Sequence, residues 1–216
     1  LQNEAVSELI LCSAHNSNIN NVVVEGSTQL KNNGLIVYYS NNITIENVVS
    51  SNNYYGFYIY SSNNNRLIGN SVNSNIFDCI WFPPFLFSNN NLIIGNTITQ
   101  NNQSGIFLRG SNNIIDGNIA MGNSVFGMYL SITNSSINNN VVIYNNKSGI
   151  YSGGGNRFKN NTVNYNNEEG IFIPFFGYNN LTNNTVSYNN RSGIRLNDNS
   201  YNLLQNNIVN HNGDHG

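Results

Sequence analysis

The chain has 216 residues, a formal net charge of -2 and only 8% charged side chains. This balance gives no electrostatic reason to expect a nucleic-acid partner, and no uninterrupted apolar run reaches the length of a membrane span. Asparagine accounts for 53 residues, a composition that by itself suggests a disordered tract. Regularly spaced Ile, Val, Leu and Phe residues argue against disorder, because they provide a core in every segment.

A Gly-apolar-x-apolar tetrad recurs every 21 to 27 residues, with degenerate copies at Glu8 and Asp78. A fixed period of this length indicates stacked repeats. It is too short for a pair of helices but suits a coil of three short strands. The tetrads predict nine coils in chain order, over residues 8–33, 34–55, 56–77, 78–104, 105–126, 127–148, 149–169, 170–192 and 193–215.

The coil consensus is close to N-x-I-x-x-N-x-V-x-x-N-x-x-x-G-I-x-L. This pattern resembles the parallel β-helix repeat of the NosD-like and CASH (carbohydrate-binding and sugar-hydrolase) proteins over residues 8–216. The resemblance implies an all-β fold, a single-stranded right-handed parallel β-helix (β-solenoid) of about nine coils of ~22 residues. We predict one domain over 1–216, with residues 1–7 as an N-terminal cap or the remnant of a preceding coil, within a longer repeat protein.

Alternation along a strand should point the second and fourth tetrad residues inward and the third outward. In the fourth coil this pattern predicts that Trp81 is inside and Ile80 outside, and a second inward column should start at Val49. Two Asn columns should lie at turns, where amides hydrogen-bond between coils. The first runs through Asn21, Asn47, Asn70, Asn96, Asn118, Asn140, Asn161, Asn184 and Asn207, and the second through Asn52, Asn75, Asn101, Asn123, Asn145, Asn166, Asn189 and Asn212.

Enzymes with this fold that act on uronic-acid polysaccharides need clustered carboxylates, and hydrolases need a neighbouring pair. In the predicted register, Asp78, Asp116, Asp198 and Asp214 occupy four different positions, so no pair stacks. The Asp-Pro-His-Asp motif of alginate epimerases and the Gly- and Asp-rich Ca²⁺ nonapeptide are absent from the sequence. We therefore expect no catalytic residue, no metal and no cofactor, and hence no enzyme.

An outward aromatic stripe on the tetrad strands is the best candidate binding surface. Rings at regular spacing can stack on sugar rings, be covered by another protein, or only stack on each other. Lengthened apolar turns in the fourth and eighth coils add a second patch, which is an interface or a loop folded onto its own sheet. The glycan-binding or partner-binding candidates are Tyr58, Phe107, Tyr129, Tyr151, Phe172, Phe82, Phe85, Phe87, Phe175 and Phe176.

One charged column and a set of sequons complete the candidate features. The charges alternate in sign over Lys147, Glu168, Arg191 and Asp214, which predicts a stabilising ladder rather than a binding strip. N-glycosylation sequons occur at a frequency that the Asn, Ser and Thr content alone predicts. They lie at Asn42, Asn102, Asn134, Asn146, Asn160, Asn180, Asn183 and Asn190.

The sequence favours a non-catalytic extracellular or cell-surface protein, a structural or adhesion rod that presents the aromatic stripe to glycans or to a protein neighbour. Unpaired strand edges at the ends of a solenoid would allow assembly end to end into a homo-oligomer or filament. One alternative is a polysaccharide lyase, hydrolase or epimerase whose catalytic residues lie outside this chain. Another alternative is a segment of a virion spike or fibre.

Overall fold

The computed structural model describes residues 1–27, 30–83, 87–198 and 200–214. Successive strands enter three long parallel sheets in rotation, so each turn of the chain adds one strand to every sheet. This arrangement is a β-solenoid and confirms the predicted all-β parallel β-helix. The described residues contain no helix with the length and apolarity that a membrane crossing requires.

Sheets A, B and C take different thirds of each coil. Sheet A contains β3 (Asn18–Asn20), β6 (Thr44–Glu46), β9 (Arg66–Ile68), β12 (Leu92–Ile94), β15 (Ile114–Asp116), β18 (Ser136–Asn138), β21 (Arg157–Lys159), β24 (Asn180–Thr182) and β27 (Leu203–Gln205). Sheet B contains β1 (Ala5–Val6), β4 (Val23–Glu25), β7 (Val49–Ser51), β10 (Ser71–Asn73), β13 (Thr97–Thr99), β16 (Ile119–Met121), β19 (Val141–Ile143), β22 (Thr162–Asn164), β25 (Thr185–Ser187) and β28 (Ile208–Asn210). Sheet C contains β2 (Leu9–Cys12), β5 (Leu35–Tyr38), β8 (Phe57–Tyr60), β11 (Ile80–Trp81), β14 (Ile106–Ser111), β17 (Met128–Thr133), β20 (Ile150–Ser152), β23 (Ile171–Ile173) and β26 (Ile194–Leu196).

The core is a continuous apolar column enclosed by the three sheets. A typical coil contributes Phe57 and Ile59 from sheet C, Leu67 from sheet A and Val72 from sheet B, all of them fully buried. In the second coil the inward residue of sheet B is Ser50 and not Val49 as predicted, because Ser50 pairs in register with Val24 and Val72. The buried Ser50 hydroxyl is satisfied by donating to the Gly56 carbonyl at 3.0 Å.

The fourth coil is shifted by one residue from the prediction. Ile80 pairs with Phe57 and Ile106 and is fully buried, whereas Trp81 faces outward. Phe82 then fills the next inward position and is also fully buried, so this candidate binding residue belongs to the core. The shift arises because Cys79, and not Asp78, occupies the position that glycine holds in the neighbouring coils.

Buried asparagines form continuous ladders at the corners between sheets. Asn118 is typical: its Nδ2 donates to the Ile93 carbonyl at 2.8 Å and to Asn140 Oδ1 at 3.0 Å. Its Oδ1 accepts from the N–H and Nδ2 of Asn96, at 3.0 and 2.9 Å. A primary amide offers two N–H donors and an acceptor oxygen, more than a hydroxyl, so Asn can bond both neighbouring coils and a backbone carbonyl at once.

The ladders differ from the predicted columns in the first coils and in number. The first ladder starts at Asn70, because Val22 and Val48 hold its position while Asn21 and Asn47 lie one residue earlier. The second starts at Asn53 rather than Asn52, since Asn53 donates its N–H to Asn75 Oδ1. A third, unpredicted ladder lies between sheets C and A. It runs through Asn65, Asn91, Asn113, Ser135, Asn156, Asn179 and Asn202.

Close approach between coils explains the glycine that opens each tetrad. A Cβ atom on Gly127 would lie 2.3 Å from Val142 Cγ1 and 2.7 Å from the Gly149 carbonyl oxygen. Both distances are shorter than van der Waals contact, and one of the blocking atoms belongs to the backbone. The glycine thus lets the chain turn tightly from sheet B into sheet C, directly beside the outer face of sheet C.

We expect Asn118→Ala to destabilise the fold by about 2 to 5 kcal/mol, because it leaves the Asn96 N–H buried without its acceptor and removes the side-chain hydrogen bonds to Asn96, Asn140 and the Ile93 carbonyl. The free energy of unfolding from urea denaturation measures this loss. Asn102→Ala is the matched control, because Asn102 is exposed and its loss should change stability by less than about 0.5 kcal/mol. An equal loss of unfolding free energy in the two variants would contradict a stabilising role for the amide ladder.

Candidate functional site

The outer face of sheet C carries a column of large side chains that runs along the solenoid axis. The strand register places one member on each coil from the second to the ninth, with Trp81 in the place predicted for Ile80. We call this column the aromatic strip. Its members are Ile36, Tyr58, Trp81, Phe107, Tyr129, Tyr151, Phe172 and Arg195.

The rings in the middle of the strip stack on each other. The centroids of Phe107 and Tyr129 are 4.7 Å apart with an interplanar angle of 9°, and those of Tyr129 and Tyr151 are 4.6 Å apart at 5°. Phe172 then turns its edge to Tyr151, at 5.5 Å and 88°. Stacked rings cover each other's faces, so this part of the strip presents ring edges and phenolic hydroxyls to a ligand.

A second aromatic group surrounds the strip near its start. Tyr55 stacks on Trp81 at 4.4 Å and 5°, and Tyr58 meets the same indole edge to face at 4.7 Å. Tyr38 and Tyr60 flank Tyr58 on the neighbouring outward position. Sequence reasoning missed Tyr38, Tyr55 and Tyr60, although the pairs of adjacent tyrosines before Gly56 and after Val37 were a visible signal.

The strip is interrupted between the fourth and fifth coils. Among the described residues, no ring contact joins Trp81 to Phe107, because the indole is stacked on Tyr55 instead. Asp78 lies on the same coil as Trp81, at the turn that leads into β11 and in the corner column between Tyr55 and Ser104. Its Oδ1 accepts the N–H of Ser104 from the next coil at 2.9 Å.

The environment of Asp78 favours its protonated form. Burial raises the pKa of the Asp78 carboxyl to about 6, and the hydrogen bonds from Ser104 offset only part of that rise. Burial likewise raises the pKa of Tyr55 to about 12 and that of Tyr58 still further, where the Tyr38 hydroxyl adds to the effect. Near neutral pH the break therefore combines one carboxyl that readily exchanges a proton with two phenols that remain proton donors.

A buried carboxylate lies at the far end of the strip. Glu169 occupies the same corner column as Asp78, but it contacts Arg195 at 3.1 Å and Arg191 at 3.8 Å and accepts the Ser148 hydroxyl at 3.0 Å. Arg195 in turn lies 5.1 Å above the Phe172 ring. Glu169 is thus neutralised by its partners and holds Arg195 against the strip.

The members of the second predicted patch lie in different surroundings. Phe175 and Phe176 are exposed and, with Pro174, line a cleft of about 230 Å³ beside Tyr129 and Tyr151. Phe87 is exposed beneath the Arg109 guanidinium, 4.8 Å from the ring centre. Phe82 is buried, as described above, and Phe85 lies outside the described residues.

The predicted charge column is only partly connected. Arg191 contacts Glu168 at 3.5 Å, whereas the Lys147 ammonium lies over the Phe126 ring at 5.6 Å. Asp214 and Arg195 both line a separate cleft at the ninth coil. Within the described parts of the chain, no three His, Cys, Asp or Glu side chains come together as a metal-binding group.

Seven of the sequon asparagines have exposed side chains and one does not. Asn180 is half-buried, and its Oδ1 is shielded from solvent without a hydrogen-bond partner. The exposed sequons are Asn42, Asn102, Asn134, Asn146, Asn160, Asn183 and Asn190.

Several solved structures share this architecture at low sequence identity. The periplasmic alginate epimerase AlgG superposes with a TM-score of 0.76 at 19% identity, covering 86% of this chain and 48% of that chain. The A-module of the mannuronan C-5 epimerase AlgE6 from Azotobacter vinelandii gives 0.67 at 17% identity, covering 98% and 72%. The Dettilon tailspike protein gives 0.58 at 16% identity, covering 82% and 42%. This chain therefore spans about half the length of AlgG.

These similarities correct one expectation from the sequence. The prediction that the chain is not an enzyme is contradicted, because the structures that it resembles include polysaccharide-modifying epimerases. The absence of stacked carboxylates on neighbouring coils therefore does not exclude an enzyme.

No curated protein sequence matches the chain. The family described as the right-handed β-helix region matches residues 8–163 and 132–216, which together cover nearly the whole sequence. Matching coils, parallel sheets and corner ladders agree with this assignment, and the chain belongs to the right-handed β-helix family.

Proposed function

We propose that the chain is the β-helix of a polysaccharide-modifying enzyme that binds an extended acidic glycan along the aromatic strip. The observation that carries this proposal is the break between Trp81 and Phe107, where the partly buried Asp78 carboxyl has a pKa of about 6. A carboxyl with this pKa exchanges protons efficiently near neutral pH. Perturbed titration beside an aromatic surface is typical of active sites.

The cations around the strip support an acidic substrate. Of the eight Lys and Arg residues in the chain, Arg109, Lys147, Arg191 and Arg195 lie on or beside the outer face of sheet C. Three of these cations lie over rings, at 4.8, 5.6 and 5.1 Å from their centres. Rings hold the cations at the surface of the strip, where the carboxylates of a uronic-acid chain would meet them.

The position of the carboxylates favours proton transfer over two-carboxylate hydrolysis. Glu169 shares the corner column of Asp78 but lies four coils away, or roughly 19 Å at the strand spacing of a sheet. Glycoside hydrolases place their two carboxyl groups within about 10 Å of each other. Asp78 as acid or base, with Tyr55 and Tyr58 as hydrogen-bond donors, therefore suits lyase or epimerase chemistry on a uronate unit.

We place this activity outside the cytoplasm, where such polymers occur and where AlgG is found as a periplasmic epimerase. The predicted protein neighbour is not needed for this function, since the strip itself contacts the glycan. The strip has one half-buried ring on most coils, so a polysaccharide that lies along the solenoid axis can contact several rings in succession.

We expect Asp78→Asn to lower turnover of a uronic-acid polysaccharide by at least about 100-fold, because the amide cannot transfer the proton. The measurement is product formation from alginate and from polygalacturonate, followed by ultraviolet absorbance for lyase products and by NMR for epimerised ones. Asp116→Asn is the matched control on sheet A, where the carboxylate only accepts a hydrogen bond from Asn139. Turnover that survives Asp78→Asn, or no turnover of any uronic-acid polymer by the native chain, would refute the proposal.

Stability should fall as Asp78 ionises in the folded protein. Its pKa is about 6 in the fold against 3.8 normally, so the folded state loses stability as pH rises from about 4 through 6 and stays lower above that range. Two pKa units correspond to about 3 kcal/mol at most. We expect Asp78→Asn to be more stable than the native chain at pH 8 and nearly equal to it at pH 4, as measured by urea denaturation at both values. A constant difference between the two proteins would show that Asp78 titrates normally.

A further inference from the structure

A corner column between sheets C and A contains a gap of one side chain. Its members all have positive φ and follow one another on successive coils: Asn112, Asn134, Gly155, Tyr178 and Tyr201. Asn134 donates to Asn112 Oδ1 at 2.6 Å on one side of the gap. On the other side Tyr178 stacks on Tyr201, with centroids 5.1 Å apart and an interplanar angle of 18°.

The gap is open space beneath a free ring face. A Cβ atom on Gly155 would meet only the Asn134 backbone nitrogen, at 4.0 Å. Since Tyr201 covers one face of the Tyr178 ring, the other face looks toward Gly155. The gap opens into a cleft of about 430 Å³, which is within the size range of ligand sites. Its lining includes Asn134, Ser136, Gly155, Arg157, Tyr178 and Asn180.

The cleft also holds polar groups suited to a ligand. Ser136, Arg157 and Asn180 are consecutive register partners on the outer face of sheet A. Among the described residues, no carboxylate forms an ion pair with Arg157. Asn180 contributes an Oδ1 without a hydrogen-bond partner, and such a buried acceptor gains by meeting a donor.

The tyrosines of this column stack on each other but cover little of the rest of the protein. Tyr178 and Tyr201 are 72% and 77% exposed, so their rings bury little surface in the protein. A bulky residue at positive φ is also unfavourable, and Asn occupies this conformation in the earlier coils at lower cost.

We propose that this cleft binds one acidic pyranose unit of a glycan. The Tyr178 ring lies against the face of the sugar, Arg157 pairs with its carboxylate, and Ser136 and Asn180 bond its hydroxyls after the Asn180 amide rotates. The site lies on a different face from the aromatic strip and does not rest on the function proposed above.

The test uses ¹⁵N-labelled protein produced without N-glycosylation, because a glycan on Asn134 would fill the same gap. Titration with a uronic-acid tetrasaccharide should shift the amide signals of Gly155, Arg157 and Tyr178. Gly155→Asn fills the gap and should weaken these shifts at least tenfold, and Arg157→Gln should weaken binding by roughly tenfold through loss of the ion pair. A neutral glucan tetrasaccharide should bind at least tenfold more weakly than the acidic one.

Gly95→Asn is the matched control, because Gly95 also has positive φ, a Cβ there meets nothing within 4 Å, and Asn139 occupies the same corner in a later coil. It should leave the titration unchanged. Tyr178→Ala provides a second loss variant in case Gly155→Asn alters the corner. Unmoved cleft signals while sheet C signals shift would overturn the inference and leave the proposed function intact. Cleft shifts without sheet C shifts would support the inference and count against the proposed function.

Discussion

The buried amide ladder is the interaction on which the rest of this protein depends. A solenoid coil must turn three corners, and each corner leaves backbone groups that sheet pairing cannot satisfy. Asn118 shows the solution: one side chain bonds the backbone and the amide of the coil before and the amide of the coil after. A carboxylate in this position would place like charges one strand spacing apart, and a hydroxyl would reach fewer partners. The amide therefore fixes both the corner and the spacing between coils.

Because the corners fix the coil spacing, the side chains on the outer faces of the sheets are not needed to hold the coils together. A residue on the outside of sheet C repeats at the strand spacing whatever its chemistry, so aromatic residues there are forced into stacking distance. The stack of Phe107, Tyr129 and Tyr151 is the result. The break in this stack between Trp81 and Phe107 also has a structural cause. Tyr55 draws the Trp81 indole into a parallel stack, and the space toward Phe107 is left beside a carboxyl rather than filled by a ring.

The sequence predicted the fold well because its period, its glycines and its inward apolar residues all repeat together. It failed where one of these signals was masked. Cys79 occupies the position of the tetrad glycine, so the sequence pattern puts the start of this tetrad at Asp78, one residue too early. The predicted inward and outward directions of Ile80, Trp81 and Phe82 are reversed as a result. The third ladder stayed hidden because Asn65 and Asn91 lie among other asparagines in turns of unequal length. Ring orientation could not be predicted either, since spacing gives the distance between Tyr129 and Tyr151 but not the angle that decides which surface a ligand meets.

The corrected register changes the meaning of the acidic residues. Asp78 and Glu169 share one column, yet their surroundings differ in the feature that decides chemistry, namely the presence of cations. Glu169 is held by Arg191 and Arg195, whereas among the described residues no cation forms an ion pair with Asp78, which receives only hydrogen bonds from Ser104. The Glu169 carboxylate serves to position these arginines. Burial without a cation raises the pKa of Asp78 to about 6, so within this column Asp78 is the carboxyl suited to the acid–base role that we propose.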